Sequence, residues 1–376
     1  MTTSELLDVA PVGPAEYAGI EDRCREVLGT AQTTLVVQGE ATVFLEAAAR
    51  GLGRPGGRAL NLVSGPYGAV FAEWLAEAGS EVKDLVVPFE RAVQPAEVAE
   101  ALDGFGPFDL VSLVHAEAAT GVVNNLAAIA RLARSRGALV VVDAVAAVGA
   151  EPLAIDEWQL DLVILSAQKA LAGPAGVSML TVSSKAWAAL AEHHAPRSGS
   201  VLSLLDWRDR WAGAGRSVLP VIPAHLETRA LGAAMARVQA EGLDRVVARH
   251  RAAALATRAA LVPLGLEPWA RNSSEAASVA TVVRAPAEGA AALVQAALGA
   301  AEDLSAPLSV APGSLATDAL RVNHTGRRAT LPSVWSALAA LAKGLGTLGH
   351  DADLAAALAI ATSTWYGSVE ARAAVE

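Results

Sequence analysis

Gly137-Ala-Leu-Val-Val-Val-Asp143, followed one crossover later by Leu160-Asp-Leu-Val-Ile-Leu-Ser-Ala-Gln-Lys169, decides the reading of this chain. Each segment is an almost unbroken apolar run ending in polar residues. That is the pattern of a parallel strand covered by helices on both faces. Ala170-Leu-Ala-Gly-Pro-Ala-Gly176 then supplies a Gly/Pro turn. Two adjacent strands with this polarity bring an aspartate and a lysine to the same sheet edge. In open α/β sheets, ligands bind at the carboxyl ends of the strands.

The same grammar extends outward. Short apolar runs at 34–37, 59–63, 82–87, 110–114, 138–142 and 160–165 read as strands. Amphipathic stretches at 40–52, 67–78, 95–102 and 122–136 read as helices between them. Repeated βα units imply an α/β fold with a doubly wound, mostly parallel sheet and right-handed crossovers. Residues 223–262 are helical in pattern with a break at Glu241-Gly242. Strands are expected at 279–284, 308–310 and 319–322, a helix at 331–345, and a helical tail after Gly349. This places a large domain over 15–242 and a smaller C-terminal α/β domain over 243–376.

Composition narrows the class. The chain has 376 residues, 53% hydrophobic and 18% charged, which excludes a disordered protein. A net charge of −10 without a basic block argues against nucleic acid and anionic membrane as partners. No His/Cys/Asp/Glu spacing suggests a metal site. The single cysteine, Cys24, cannot form an intrachain disulfide and suits a reducing compartment. No secretory leader and no transmembrane run is read, so the expectation is a cytoplasmic protein.

A lysine and an aspartate so placed suit vitamin B6 chemistry. The lysine amine condenses with an aldehyde. The carboxylate pairs with the pyridine nitrogen and keeps it protonated, so the ring accepts electrons from the substrate's α-carbon.

With these residues in hand, the sequence resembles the class V aminotransferases of fold type I, near the alanine–glyoxylate aminotransferase branch. His115-Ala-Glu-Ala-Ala-Thr-Gly121, Val140-Val-Val-Asp-Ala-Val145, Ser166-Ala-Gln-Lys169 and Gly173-Pro-Ala-Gly176 carry the resemblance. It implies that Lys169 is the Schiff-base lysine and Asp143 the partner of the pyridine nitrogen. It further implies that Val145 packs on one ring face and that Gln168 approaches the 5′ side. In Asn61-Leu-Val-Ser-Gly-Pro-Tyr-Gly68, Tyr67 takes the place of the aromatic that stacks on the ring. Arg321, in Ala-Leu-Arg-Val-Asn-His324, takes the place of the arginine that grips the substrate carboxylate. A homodimer, or a dimer of dimers, is the family expectation, with residues 213–220 contributed by the neighbour.

Two departures bear on the vitamer. The turn Val37-Gln38-Gly39-Glu40 puts a glutamate where phosphate-binding members carry a serine. In Gly215-Arg-Ser-Val-Leu-Pro220, Val218 stands where the family usually offers a threonine to the phosphate, while Arg216 keeps phosphate contact open. With Leu204-Leu-Asp-Trp207, these features resemble the pyridoxamine–pyruvate aminotransferase family. In that family free pyridoxal and pyridoxamine are substrates and no phosphorylated cofactor is tightly held. The expected reaction is pyridoxamine plus pyruvate giving pyridoxal plus L-alanine, with Glu40 reading the 5′-hydroxyl. The alternatives are a pyridoxal 5′-phosphate-dependent aminotransferase of alanine–glyoxylate type, or a lyase, acting on a small amino acid. A third departure is the short N-terminus, where Val12-Gly13-Pro14 is at best a remnant of the family's longer arm.

Overall fold

The computed structural model describes residues 9–192, 199–299 and 307–373. In chain order the elements are α1 (Pro14–Leu28), β1 (Thr33–Gln38), α2 (Ala41–Leu52), β2 (Arg58–Val63), α3 (Pro66–Glu77), β3 (Glu81–Val86), α4 (Pro95–Phe105) and β4 (Leu110–Val114). They continue with β5 (Ala116–Glu117), β6 (Val122–Val123), α5 (Leu126–Ser135), β7 (Leu139–Asp143), β8 (Leu162–Ser166), β9 (Val177–Val182), α6 (Ser184–Glu192) and α7 (Leu204–Arg210). The remainder is α8 (His225–Glu241), α9 (Leu243–Ala259), β10 (Thr281–Arg284), α10 (Ala290–Leu298), β11 (Leu308–Val310), β12 (Ala319–Val322), α11 (Leu331–Thr347) and α12 (Leu354–Ala373).

Local chemistry sets the helix ends. Pro14, Pro66 and Pro95 open α1, α3 and α4 at the position where a missing N–H costs nothing. Asn125 caps α5 by accepting from the Ala128 N–H at 3.2 Å. Gly29 ends α1 in the left-handed conformation, φ 61°.

The large sheet has seven strands in the order β1-β9-β8-β7-β4-β2-β3. β9 runs antiparallel to both of its neighbours, and the ladder from β8 through β3 is parallel. Strands β4, β8 and β9 are buried along their whole length, in keeping with their mainly apolar sequences. β3 is one of the two edge strands, and its Glu81, Lys83 and Asp84 keep that edge polar. The parallel ladder delivers the ends of β4, β7 and β8 to one rim. Asp143 pairs with Ile164 there as the last residue of β7.

The fold is the expected doubly wound α/β arrangement, with local differences. Only Leu126–Ser135 of the helix expected at 122–136 is helical. Val122–Val123 instead pairs antiparallel with Ala116–Glu117, across a turn in which Gly121 adopts φ 67°. Two β-branched residues after a left-handed glycine favour a hairpin over a first helical turn. Strand β9 and helix α1 lie outside the stretches assigned from sequence, and β9 completes the sheet between β1 and β8.

A second apolar cluster is built on the three-stranded antiparallel sheet β10-β12-β11 and on α9, α10, α11 and α12. Gly242, at φ 88°, joins α8 to α9 where the helical pattern breaks in the sequence. From α9, His250 reaches the loop after β12. Its Nε2 accepts from the Gly326 N–H at 2.9 Å, and its Nδ1 lies 2.7 Å from the Val246 carbonyl. The Nε2 bond needs the neutral imidazole with its proton on Nδ1, and burial pushes the His250 pKa down to about 4.

The unfolded chain therefore takes up this proton first. His250 supports the fold fully above its unfolded value near 6.5, and that support is lost as the pH falls towards 4. Glu21, Glu117 and Glu151 act with opposite sign: burial raises each to about 7, so their support fades as pH rises from 4.5 to 7. His250→Gln isolates one component. Its stability deficit against the unmodified protein, from denaturant midpoints, is expected to be larger at pH 7.5 than at pH 4.5. An equal deficit at both values would show that His250 is not held neutral.

Candidate active site

The C-terminal rim of the large sheet holds a small cavity of about 190 Å³. Lys169, Asp143, Tyr67, Val145, Gln168 and Glu40 all line it. They arrive from four segments: Asp143 and Val145 from the end of β7 and the turn after it, Lys169 and Gln168 from the turn after β8, Tyr67 from the first turn of α3, and Glu40 from the start of α2. The structure thus gathers six of the seven residues singled out from sequence.

Lys169 is held in an apolar and carboxylate-rich setting. Burial pushes its pKa down, while Asp143 and then Glu117 pull it back up. Its Nζ sits 5.8 Å from the centroid of the Tyr67 ring, within cation–π range. A depressed lysine pKa leaves more neutral amine near pH 7, the form that attacks a carbonyl. The Asp143 carboxyl is raised by burial and lowered by Lys169, and its Oδ1 accepts from the Val145 N–H at 2.9 Å. That bond fixes the carboxylate and the Val145 backbone together.

The turn after Lys169 is shaped by close approach. A Cβ at Gly173 would lie 2.5 Å from the Ala167 Cβ, so only glycine lets the chain fold back there. The Gly39 N–H donates to the Gly176 carbonyl at 2.9 Å, and the Ser178 hydroxyl donates to the Gly39 carbonyl at 2.8 Å. The Gly-Pro turn therefore ties the Lys169 segment to the Gln38–Glu40 turn across β9.

At that turn Glu40 is the N-cap of α2. Its Oε2 accepts from the Thr42 N–H at 2.8 Å and also from the Thr42 hydroxyl. Its Oε1 accepts from Gln168 Nε2 at 3.2 Å, and Gln168 Oε1 in turn accepts from the Ser166 hydroxyl. A carboxylate thus satisfies the helix N-terminus itself.

Arg321, from β12, faces a neighbouring open cleft of about 1070 Å³ that it shares with Lys169 and Gln168. Its Nε and Nη2 both donate to the Ser309 hydroxyl, at 3.3 and 3.2 Å, and Asn323 Nδ2 donates to the same oxygen at 3.0 Å. Three donors converge on one hydroxyl, and no described carboxylate pairs with Arg321. The guanidinium is free to bind an incoming carboxylate with its planar fork.

Arg216 is not available to the site from its own chain. It forms a two-pronged pair with Asp22 of α1, at 3.0 and 2.8 Å, and lies 3.6 Å from Glu21. Sequence reasoning passed over Glu117, which lies inside the quoted 115–121 segment and is 0% exposed. Its signal was a carboxylate between alanines at the end of a buried strand. Among the described residues no group of three or more His, Cys, Asp or Glu could hold a metal ion, and no helix is long and apolar enough to cross a membrane.

Comparison with known proteins agrees with this geometry. The "Aminotransferase class-V" family matches residues 13–296. The pyridoxamine–pyruvate transaminase of Mesorhizobium japonicum is 32% identical over 282 residues, covering 75% of this chain and 71% of that protein. The crystal structure of pyridoxamine-pyruvate aminotransferase from Mesorhizobium loti superposes with a TM-score of 0.86 at 30% identity, over 93% of this chain and 89% of that one. An alanine–glyoxylate aminotransferase from Nostoc sp. gives a TM-score of 0.82 at 26% identity, over 92% of each chain. With the lysine–aspartate pair set at the rim of a doubly wound sheet, these matches place the chain in the class-V aminotransferase family, as a transaminase of fold type I.

Proposed function

We propose that this transaminase moves an amino group between pyridoxamine and pyruvate, yielding pyridoxal and L-alanine. Glu40 carries the reading. In a phosphate-bearing relative, the start of α2 would offer its N–H groups to a dianion. Here the Glu40 carboxylate already takes the Thr42 donors and one Gln168 N–H. A 5′-phosphate does not fit beside that charge; a neutral 5′-hydroxymethyl group does, as donor to the carboxylate.

The remaining roles follow from position. Lys169 condenses with the pyridoxal aldehyde and, when free, carries the proton between the substrate α-carbon and C4′. Asp143 keeps the ring nitrogen protonated. Tyr67 and Val145 enclose the ring, and Gln168 steadies Glu40. Arg321 holds the carboxylate of pyruvate or alanine. The two halves of the exchange balance: pyridoxamine gives up its amino group and, from C4′, a proton together with the electron pair of that C–H bond, pyruvate's carbonyl carbon gains all of these, pyruvate's carbonyl oxygen leaves as water, and a water supplies the aldehyde oxygen of pyridoxal.

We further infer a homodimer with domains over 15–242 and 243–376, and a cytoplasmic location suited to the buried lone Cys24. Val218, Val221 and Ile222 are 70%, 40% and 82% exposed, an apolar run that a second copy would cover.

The test is a pair of titrations of ligand-free protein, one with pyridoxal and one with pyridoxal 5′-phosphate, followed by L-alanine. Pyridoxal is expected to bind tighter and to be converted by alanine to pyridoxamine. Binding of the phosphate form alone would make the chain a conventional phosphate-dependent aminotransferase or lyase.

A further inference from the structure

Glu117 lies behind the wall of the small cavity. Ala116 and Ala118 line the cavity, and the alternation of the strand turns Glu117 away from it. The carboxyl runs beneath the turn Ser64-Gly65-Pro66-Tyr67. A Cβ at Gly65 would lie 2.1 Å from Glu117 Cγ, 2.4 Å from Cδ and 2.5 Å from Oε2. Gly65 has an extended backbone, so its glycine is required by this contact and not by its φ.

The contacts of that carboxyl are sparse. Oε1 accepts from the Ala119 N–H at 3.2 Å, while Oε2 has no partner with hydrogen-bond geometry among the described residues. Of the groups around it, the Tyr67 N–H faces the carboxylate and lowers its pKa, as does Lys169, while Asp143 and above all burial raise it to about 7. The Tyr67 hydroxyl is in turn pushed up first by burial and then by the charge of Glu117. Helix α3 has no side-chain cap of its own at Gly65, and of its first-turn donors the Tyr67 N–H faces this carboxyl.

The rest of the turn is tied from the same hairpin. The Thr120 hydroxyl donates to the Ser64 carbonyl at 3.3 Å, and Asn124 Nδ2 donates to the Ser64 hydroxyl at 2.9 Å. The hairpin β5–β6 therefore braces the 64–67 turn at several points, and Glu117 is its buried wedge.

We propose that Glu117 is a positioning residue: its carboxyl props the 64–67 turn from beneath and so holds the Tyr67 ring over the pyridine, with Gly65 cut away to admit it. This rests on the reading of Tyr67 as the ring stacker. Neither Glu117 nor Gly65 touches the reacting atoms.

The test measures pyridoxamine binding by tryptophan fluorescence without any 2-oxo acid, so that no turnover occurs, and KM for pyruvate separately. Tyr67→Ala is expected to weaken pyridoxamine about tenfold, the scale of one stacking contact. Glu117→Ala and Gly65→Ala are each expected to weaken it several-fold, with KM for pyruvate changed less than about twofold and Glu117→Gln recovering most of the loss. In the Tyr67→Ala background, Glu117→Ala or Gly65→Ala should add almost nothing, because each acts through the same ring.

Additive losses, or a parallel rise in KM for pyruvate, would overturn the proposal. So would unchanged pyridoxamine binding in Gly65→Ala and Glu117→Ala. If Tyr67→Ala itself leaves pyridoxamine binding unchanged, the stacking assignment fails instead. Should Glu117→Ala not fold, the Gly65→Ala and Tyr67→Ala cycle decides alone.

Discussion

Lys169→Ala is expected to reduce amino transfer from pyridoxamine to pyruvate by about 10⁴-fold or more, the scale of losing a group that acts both as nucleophile and as proton carrier. Two properties of the site support so large an effect. Burial lowers the Lys169 pKa and keeps neutral amine available, while Asp143 and Glu117 stop it from drifting too far. No second lysine stands in the cavity to substitute for it. The fold should survive, because the side chain faces a cavity rather than packing within the apolar cluster, and thermal melting checks this. The visible band that pyridoxal gains on reacting with the protein should vanish, whereas pyridoxamine should still bind through Asp143, Tyr67 and Glu40. Activity within tenfold of the unmodified enzyme would remove Lys169 from its assigned role.

Much of this site is legible in the sequence, for a physical reason. Parallel strands are apolar throughout, so a charged residue at a strand's end stands out and its place on the sheet rim follows from topology. Asp143 and Lys169 were found that way. Glu40 stands out because it takes the place, at the start of α2, where the family resemblance calls for a serine, and its carboxylate caps that helix. Arg321 was reached through resemblance rather than periodicity, since β12 is only Ala319–Val322 and lies far along the chain from Lys169.

The misses have equally physical causes. The β5–β6 hairpin has two-residue strands, too short for any period to register. Val177–Val182 is as apolar as its neighbours, but nothing local says that it runs antiparallel or that it inserts between β1 and β8. The partner of Arg216 is Asp22, on a helix at the other end of the chain, and long-range ion pairs leave no mark on local pattern. Glu117 was read past because its significance depends on Gly65, a contact between two separate strand ends.

Glu40→Ser should invert the preference between vitamers while leaving the protein about as stable, because serine is itself a favoured N-cap and keeps a bond to the start of α2. Two opposing effects add in the ratio. Pyridoxal loses a hydrogen bond to a charged acceptor, about 1.5–3 kcal/mol or roughly ten- to a hundredfold in affinity. Pyridoxal 5′-phosphate is relieved of a like charge, which at ~4 Å and an effective dielectric of ~20 costs about 4 kcal/mol before salt screening. The ratio of dissociation constants, pyridoxal over pyridoxal 5′-phosphate, is therefore expected to rise by three orders of magnitude or so. The screened part of that change should shrink in high salt, whereas the hydrogen-bond part should not. Lost pyridoxal affinity without improved phosphate binding would mean that the pocket excludes phosphate by shape rather than by charge. If both affinities stayed put, Glu40 would be an ordinary helix cap with no hand in choosing the vitamer.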